Sequence, residues 1–247
     1  MDIKTAVRTL DLFELFAVER RPLRLSDLAK GLNAPVSSCY QLIQTLQRRG
    51  YVYALPGKSY YPTKRMLKSA EVIAASDPVV AILSPMLEEL RDTTAESVLL
   101  GKHAEHHVMV LDVAESPHSI RYTMRPGELR YLHSSSIGKA LVGSMTREER
   151  DRWLPPDPLP TFTPTTIATR AKLEAELQRS KARGWYASLG ETVNELHSVA
   201  VPFVLAGGVF ALSVAGPVTR FAPKQKAHAA ALIAAVRKVD GLLERSA

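Results

Sequence analysis

The spacing of hydrophobic positions changes several times along the chain, and the changes divide it. Residues 4–19 repeat apolar side chains at Ala6, Val7, Leu10, Phe13, Leu15 and Phe16, which predicts a first helix that Arg20-Arg21-Pro22 breaks. Leu28, Ala29 and Leu32 give the apolar side of a short second helix, with Ser26 available as its cap and Gly31-Leu32-Asn33 as its end. Ala34-Pro35-Val36 reads as a turn. A third helix opens at Ser37-Ser38, whose hydroxyls can cap its free N–H groups. Cys39, Leu42, Ile43 and Leu46 point inward, which leaves Ser38, Tyr40, Gln41, Gln44, Gln47 and Arg48 outside. After Gly50 the pattern becomes strand-like over Tyr51–Leu55, turns at Pro56-Gly57 and returns through Tyr60-Tyr61.

From Lys64 to Ser76 the helical period comes back, with Met66, Leu67, Ala70, Ile73 and Ala74 on an inner stripe, and Asp77-Pro78 marks a boundary. A helix over residues 78–93 follows, then strand-like runs at Ser97–Leu100, Val108–Val113 and Ile120–Met124. Helices are predicted near Ile137–Gly143, Glu148–Trp153 and Leu173–Arg183, with a Pro-rich loop at Pro155–Pro164. Val199–Leu205 and Val209–Ala215 flank Gly207-Gly208, a hairpin signal, and Pro223 opens a last helix toward Glu244. Strands mixed with helices around one sheet make this an α+β chain. Its expected parts are a winged helix-turn-helix domain over 1–63, a linker helix over 64–77 and a second domain over 78–247. No internal repeat is present.

Two short helices joined by a tight turn, the second polar and basic outside, form the helix-turn-helix pattern, and the hairpin after it forms a wing with Lys58-Ser59 at its tip. A glutamine amide can bond an adenine edge in the major groove, and a wing can contact phosphate. The candidate contacts to double-stranded DNA are Ser26, Ser37, Ser38, Tyr40, Gln41, Gln44, Arg48, Arg49, Lys58 and Ser59. Charge agrees with this reading. The net +7 is 32 Lys+Arg against 25 Asp+Glu; residues 1–76 hold 12 against 6, a net of +6, and residues 77–247 hold 20 against 19. A basic module beside a neutral one is the electrostatic footprint of nucleic-acid binding. Composition adds little beyond this: 46% hydrophobic residues are enough for a core, and no run approaches a membrane span. The opening MDIKTAVRTLDLF reads as an amphipathic helix with acidic residues, unlike a signal peptide, and the single cysteine, Cys39, excludes an intramolecular disulfide, so a cytoplasmic location is expected.

Thr5–Phe16, Leu28–Leu46, Arg125–Lys139 (RPGELRYLHSSSIGK), Gly184–Glu191 (GWYASLGE), Ala200-Val201-Pro202 and Ser213–Pro217 (SVAGP) together resemble the IclR-type (isocitrate lyase regulator) transcription factors over nearly the whole chain. The HSSSIGKA block is the most specific part. The resemblance implies a winged helix plus a GAF-like effector-binding domain, assembled as dimers or tetramers on promoter DNA. It also implies a small organic acid or aromatic metabolite as effector. Gln41 stands where an arginine is common in the family and Val36 where a lysine or serine is usual, so a different operator is expected. Ser188-Leu189-Gly190 replaces an acidic stretch, and Ser198 replaces a frequent cysteine, which bears on the effector rather than the fold.

His133-Ser134-Ser135-Ser136-Ile137-Gly138 leads into a helix whose free N–H groups at Ser136 and Ile137 suit a carboxylate; serines that only cap the helix are the alternative. By resemblance, Ser188, Ser198 and Ser213 also face the pocket. Tyr122 and Met124 share a strand face and could wall it, or simply pack in the core. The loss of acidic residues before Glu191 favours an anion, so the expected effector is a small carboxylate, aromatic or hydroxylated. His103, His106 and His107 lack the partners of a zinc set, and there is no GxSxG, HExxH, GxGxxG or P-loop. A His133/Ser135 nucleophile pair has no third group. No catalytic residue, metal or cofactor is expected. The reading is therefore a ligand-responsive repressor or activator of a catabolic operon. Its competitor is a metabolite-binding enzyme or sensor with a vestigial winged helix.

Overall fold

A computed structural model describes residues 2–243. The chain divides into two compact units, residues 1–77 and 78–247.

In the first unit, α1 (Lys4–Glu19), α2 (Leu25–Gly31) and α3 (Val36–Arg48) enclose a core of Leu12, Phe16, Leu28, Cys39, Ile43 and Leu46. On α1 the inward residues are Leu12 and Phe16, whereas Val7 and Leu10, expected inside, are exposed. Both serine-capping expectations are corrected. Arg24 stands at the N-cap of α2 and its N–H donates to the Asp27 carboxylate at 2.9 Å, while Ser26 lies inside the helix. That backbone hydrogen bond, helped by Arg21, holds the Asp27 carboxyl below its ordinary value. Pro35 is the N-cap of α3, so Ser37 and Ser38 are already helical. The fixed φ of a proline positions the chain for a helix without a side-chain cap. Asn33, left-handed at φ 45°, turns the chain between the two helices.

The wing is a three-stranded sheet in the order β1-β3-β2, made of β1 (Leu23–Arg24), β2 (Val52–Leu55) and β3 (Ser59–Pro62). The two-residue β1 was too short to show a period. It pairs Leu23 with Tyr60 and Arg24 with Ser59, so Ser59 belongs to a strand and the exposed tip is Pro56-Gly57-Lys58. Helix α4 (Arg65–Ala75) follows, but none of its residues is buried; the predicted inner stripe of Met66, Leu67, Ala70, Ile73 and Ala74 is exposed within this chain.

The second unit is built on one antiparallel sheet with the order β6-β5-β4-β9-β8-β7. Its strands are β4 (Ser97–Ala104), β5 (His107–Ala114), β6 (Leu129–Tyr131), β7 (Tyr186–Leu189), β8 (Leu196–Leu205) and β9 (Gly208–Pro217). Alternation assigns the faces. Val98, Leu100, Val199, Val201, Phe203, Leu212 and Val214 pack against α5 (Pro78–Thr94) and α10 (Gln225–Leu243). The opposite face carries Leu99, Gly101, Leu196, Ser198, Ala200, Ala211, Ser213 and Ala215, mostly small residues. That face receives α6 (Ser136–Gly143) and, beyond it, α8 (Arg170–Arg183); α7 (Arg147–Trp153) lies between them in sequence. A short α9 (Val218–Phe221) and a 3-10 turn at Ala222–Lys224 precede α10, so Pro223 lies ahead of the helix it was expected to open, and the expected end at Glu244 falls outside the described residues.

Three sheet details differ from expectation. Ile120–Met124 is irregular, because its carbonyls are taken by side chains: Ser97 Oγ donates to the Tyr122 carbonyl at 2.5 Å and Arg220 to that of Ile120 at 3.2 Å. The free edge of β5 is filled by β6 instead. The β8–β9 hairpin turns at Ala206-Gly207, both at positive φ, with Leu205 opposite Gly208, one residue earlier than the Gly-Gly pair suggested.

Candidate functional site

The outer surface of α3 follows from its helical geometry. At about 100° per residue, Ser37, Tyr40, Gln41, Gln44 and Arg48 share one arc, opposite the arc of Cys39, Ile43 and Leu46. Tyr40, Gln41, Ser37 and Arg48 are exposed; Gln44 is half-buried, and its amide donates to Gln47 at 3.2 Å. Ser38 and Arg49 sit to the side of this arc, on a groove of about 610 Å³ that also includes Arg8, Thr45 and Met66. Ser26 is exposed on α2 and Lys58 at the wing tip, while Ser59 is half-buried in its strand. Burial raises the pKa of the Cys39 thiol, which sits in the core beneath this face. Val36, in the first turn of α3, is exposed, so the family departure noted there lies on the accessible start of this helix.

In the second unit, β6 feeds through residues 132–135 into α6. Ser135 caps the helix: its hydroxyl accepts from the Gly138 N–H at 3.1 Å and donates to the Tyr131 carbonyl at 2.8 Å. The N–H groups of Ser136 and Ile137 have no acceptor among the described residues. Gly138 permits this close seat on the preceding segment, since a Cβ there would stand 2.6 Å from Leu132 Cα. Behind the helix N-terminus is a small, partly open cavity of about 30 Å³. Of the predicted effector residues, Tyr122, Met124, Ser136, Ile137, Ser198 and Ser213 line it. Ser188 does not. It is buried on β7, opposite Ser198 in the β7–β8 register, one strand farther from the cavity.

The cavity's polar groups are of two kinds. Ser136 and Ser213 bond to each other at 2.9 Å, whereas the Ser198 hydroxyl, on a residue only 7% exposed, has no protein partner among the described residues. Arg130, Ser135 and Thr192 also line the cavity, and none of them was named as an effector contact from the sequence. The alternation of Val108 and Val110 on β5 was the available signal for Arg130, had β6 been recognised beside it.

Lys139, one turn further along α6, is fully buried, donates to the Ala187 carbonyl at 2.9 Å and forms a short ion pair with Glu191. Burial pushes the lysine's pKa down and the glutamate's up, so each group depends on the other for its charge. The nucleophile pair considered from the sequence is not assembled. His133 Nε2 is bonded to the Pro160 carbonyl at 2.8 Å, and Ser135 is occupied with its cap. His103 and His106 pack against Trp153, His107 against Tyr131, and no group of three metal-ligating side chains occurs among the described residues. No single helix among them is long and apolar enough to cross a membrane.

Two family profiles match, the IclR helix-turn-helix domain over residues 5–56 and the bacterial transcriptional regulator IclR C-terminal domain over residues 72–241. The chain belongs to the IclR family. Its members are transcriptional regulators that bind DNA through the first domain and a small molecule through the second. Among curated relatives it is similar to the HTH-type transcriptional regulator BhcR of Paracoccus denitrificans, 29% identical with 96% of this chain and 86% of that protein covered. It is also similar to the transcriptional repressor IclR of Escherichia coli, 24% identical with 88% and 81% covered. Among solved structures, an IclR homolog from Microbacterium hydrocarbonoxydans complexed with 4-hydroxybenzoate shares the fold, with a TM-score of 0.77, 21% identity and 98% and 99% of the two chains covered.

Proposed function

We propose that this IclR-family protein controls a catabolic operon, with a small carboxylate as its effector, and that it acts without catalysing a reaction. The observation that carries the effector reading is the small cavity at the start of α6, where two N–H groups and the Ser198 hydroxyl are left without partners among the described residues. Buried polar groups are normally paired, and donors at a helix N-terminus favour an anion. Ser136, Ile137, Ser198 and Ser213 would hold the acid, with Tyr122 and Met124 as wall; Ser188 would act only through Ser198, which it faces across the β7–β8 pair. The cavity's 30 Å³ exceeds the room one water needs but falls well short of the space that admits a benzene ring. An aromatic acid therefore enters only if the segment carrying Tyr122 and Met124 moves, and a short-chain acid enters with less rearrangement.

On the DNA side, Gln41 and Gln44 would read base edges while Ser37, Ser38, Tyr40, Arg48, Arg49 and Lys58 contact the backbone, with Ser26 and Ser59 at the margin. Self-association is part of the proposal. Val7 and Leu10 on α1 and Met66, Leu67 and Ile73 on α4 are exposed in the single chain, and paired half-sites need paired modules. A dimer through the first unit is expected, with a tetramer through the second units as the larger form, acting in the cytoplasm.

The test combines two measurements on the full chain. An operator is selected from a random duplex pool, and its affinity is followed by fluorescence anisotropy as short-chain and aromatic carboxylates are added. At least one acid should change the affinity. Gln41→Ala and Gln44→Ala should each weaken operator binding by about 1–3 kcal/mol and relax base preference, whereas Lys58→Ala should weaken all duplexes alike. Unaltered operator affinity in both glutamine variants, or indifference to every acid, would refute the corresponding half.

A further inference from the structure

Edge strand β6 puts a cation on the side of the sheet where the cavity lies. In the β5–β6 register Val108 is opposite Arg130, and directly opposed residues share a face. Val108 and Val110 line the cavity, and so does Arg130, while its neighbours Leu129 and Tyr131 are exposed on the other side. Among the described residues lining the cavity, Arg130 is the one that carries a charge. Its guanidinium is partly committed: Nε donates to the Tyr122 hydroxyl at 3.3 Å, Nη1 to the Leu129 carbonyl at 2.8 Å and Nη2 to the Glu128 carboxylate at 3.0 Å. A guanidinium has five N–H groups, so two remain available, and a tyrosine hydroxyl that accepts still has a proton to donate. Glu128 lies at the solvent side, with 40% of its side chain exposed, where water weakens its hold on the arginine's charge.

We infer that Arg130, together with Tyr122, forms a second polar pole in the effector cavity and selects acids that carry a second oxygen function, a second carboxylate above a hydroxyl. The inference rests on the reading of the α6 N-terminus as the seat of the first carboxylate. With one end of the ligand at Ser136 and Ile137, an oxygen at the other end meets a fork of donors rather than the apolar wall of Val108, Val110 and Leu99. A methyl or ring hydrogen in that place leaves the donors unpaired, which costs affinity. Tyr122 lies on the irregular segment between β5 and β6, so a ligand that engages Arg130 also ties that segment to the sheet.

Isothermal titration of the full chain with matched acids tests this. Butyrate and succinate differ by a methyl against a carboxylate; benzoate, 4-hydroxybenzoate and terephthalate make the same comparison on a ring. Wild type should bind the difunctional member of at least one pair about 10- to 100-fold more tightly, as expected for hydrogen bonds to a charged group. Arg130→Met should remove that preference, bringing the difunctional acid's affinity down to that of the simple acid. Arg130→Lys should retain part of it, and Tyr122→Phe should reduce the preference for 4-hydroxybenzoate. An edge arginine that serves only to block strand pairing would change none of these ratios. If acids bind without preference, or the preference survives in Arg130→Met, the inference fails and the effector reading stands. If folded Arg130→Met loses all acids together, Arg130 is the primary anchor and the two-pole arrangement is wrong. If no acid binds wild type, both readings fail. Should Arg130→Met not fold, the Arg130→Lys ratios decide: an unchanged preference overturns the inference and a reduced one supports it.

Discussion

Replacing Lys139 by Met should be among the most damaging single changes in the second unit, and the damage should depend on pH. The lysine side chain is fully buried and Glu191 nearly so, and the pair joins α6 to the segment that carries Thr192 to the cavity. Truncating one partner of a buried pair leaves the other without compensation, at a cost of about 3–5 kcal/mol. The Ala187 carbonyl also loses its donor, worth about 1 kcal/mol. Burial raises the Glu191 pKa, and without Lys139 only the backbone hydrogen bonds from Leu189 and Ile167 oppose that rise. A raised carboxyl contributes stability below its unfolded value of 4.5 and loses it as pH climbs through the folded value. Lys139→Met should therefore lose more at pH 7 than at pH 5. Lys139→Met/Glu191→Met, which removes both charges at similar volume, should return to within about 2 kcal/mol of wild type. Urea unfolding followed by tryptophan emission is a suitable assay, because both tryptophans, Trp153 and Trp185, lie in the second unit. A loss below about 1 kcal/mol at pH 7, or equal losses at the two pH values, would refute the reasoning.

Ile43→Ala, at a fully buried position on the inner face of α3, should cost about 2–5 kcal/mol and melt the first unit, seen as lost helical circular dichroism and operator binding without a change in tryptophan emission. Gly138→Ala forces a Cβ against the Leu132 backbone; a loss of about 1–3 kcal/mol and an abolished effector response are expected, with operator binding retained. His133 and His228 both have pKa values lowered by burial, which favours their neutral forms in the fold. The unfolded chain then binds more protons below about pH 6.5, so the melting temperature of wild type should fall as pH drops from 7 toward 5, and His133→Gln with His228→Gln should flatten that slope.

The first unit was legible because its elements signal themselves locally. The α3 core residues Cys39, Ile43 and Leu46 recur at helical spacing, and Pro56-Gly57 marks the wing turn. What failed there depended on long-range context. The two-residue β1 exists only because β3 offers an edge, and the α4 stripe was read as inward although the single chain supplies nothing to cover it. Ser26 and Ser37-Ser38 looked like caps by residue type, but Asp27 and Pro35 had already set the helix starts. A capping propensity is a weak signal when a neighbouring residue fixes the backbone more strongly.

In the second unit the large face of the sheet was visible as apolar runs, and the small face held the site. Ser198, Ser213 and Ala215 gave no clear pattern, because serine and alanine are ordinary residues in buried strands. Only the family resemblance pointed to Ser198 and Ser213, and their common place shows when β8 and β9 are set side by side beneath α6. The Ile120–Met124 reading as a strand had a related cause. Its apolar content suits a strand, but tertiary structure assigns its carbonyls to Ser97 and Arg220 and leaves Tyr122 and Met124 free to wall the cavity. The same displacement let β6 take the edge of β5 and put Arg130 beside Val108. Arg220 is held in turn by Glu96, at 2.5 and 2.8 Å, and Glu96 is 1% exposed. The position of the cavity wall is thus fixed by an ion pair at the far end of its own segment. A segment restrained through side chains at Ser97 and Arg220 can yield by breaking few bonds, whereas a strand in that place would have to break a ladder. That difference would let the cavity, near 30 Å³ here, widen around the larger of the proposed acids.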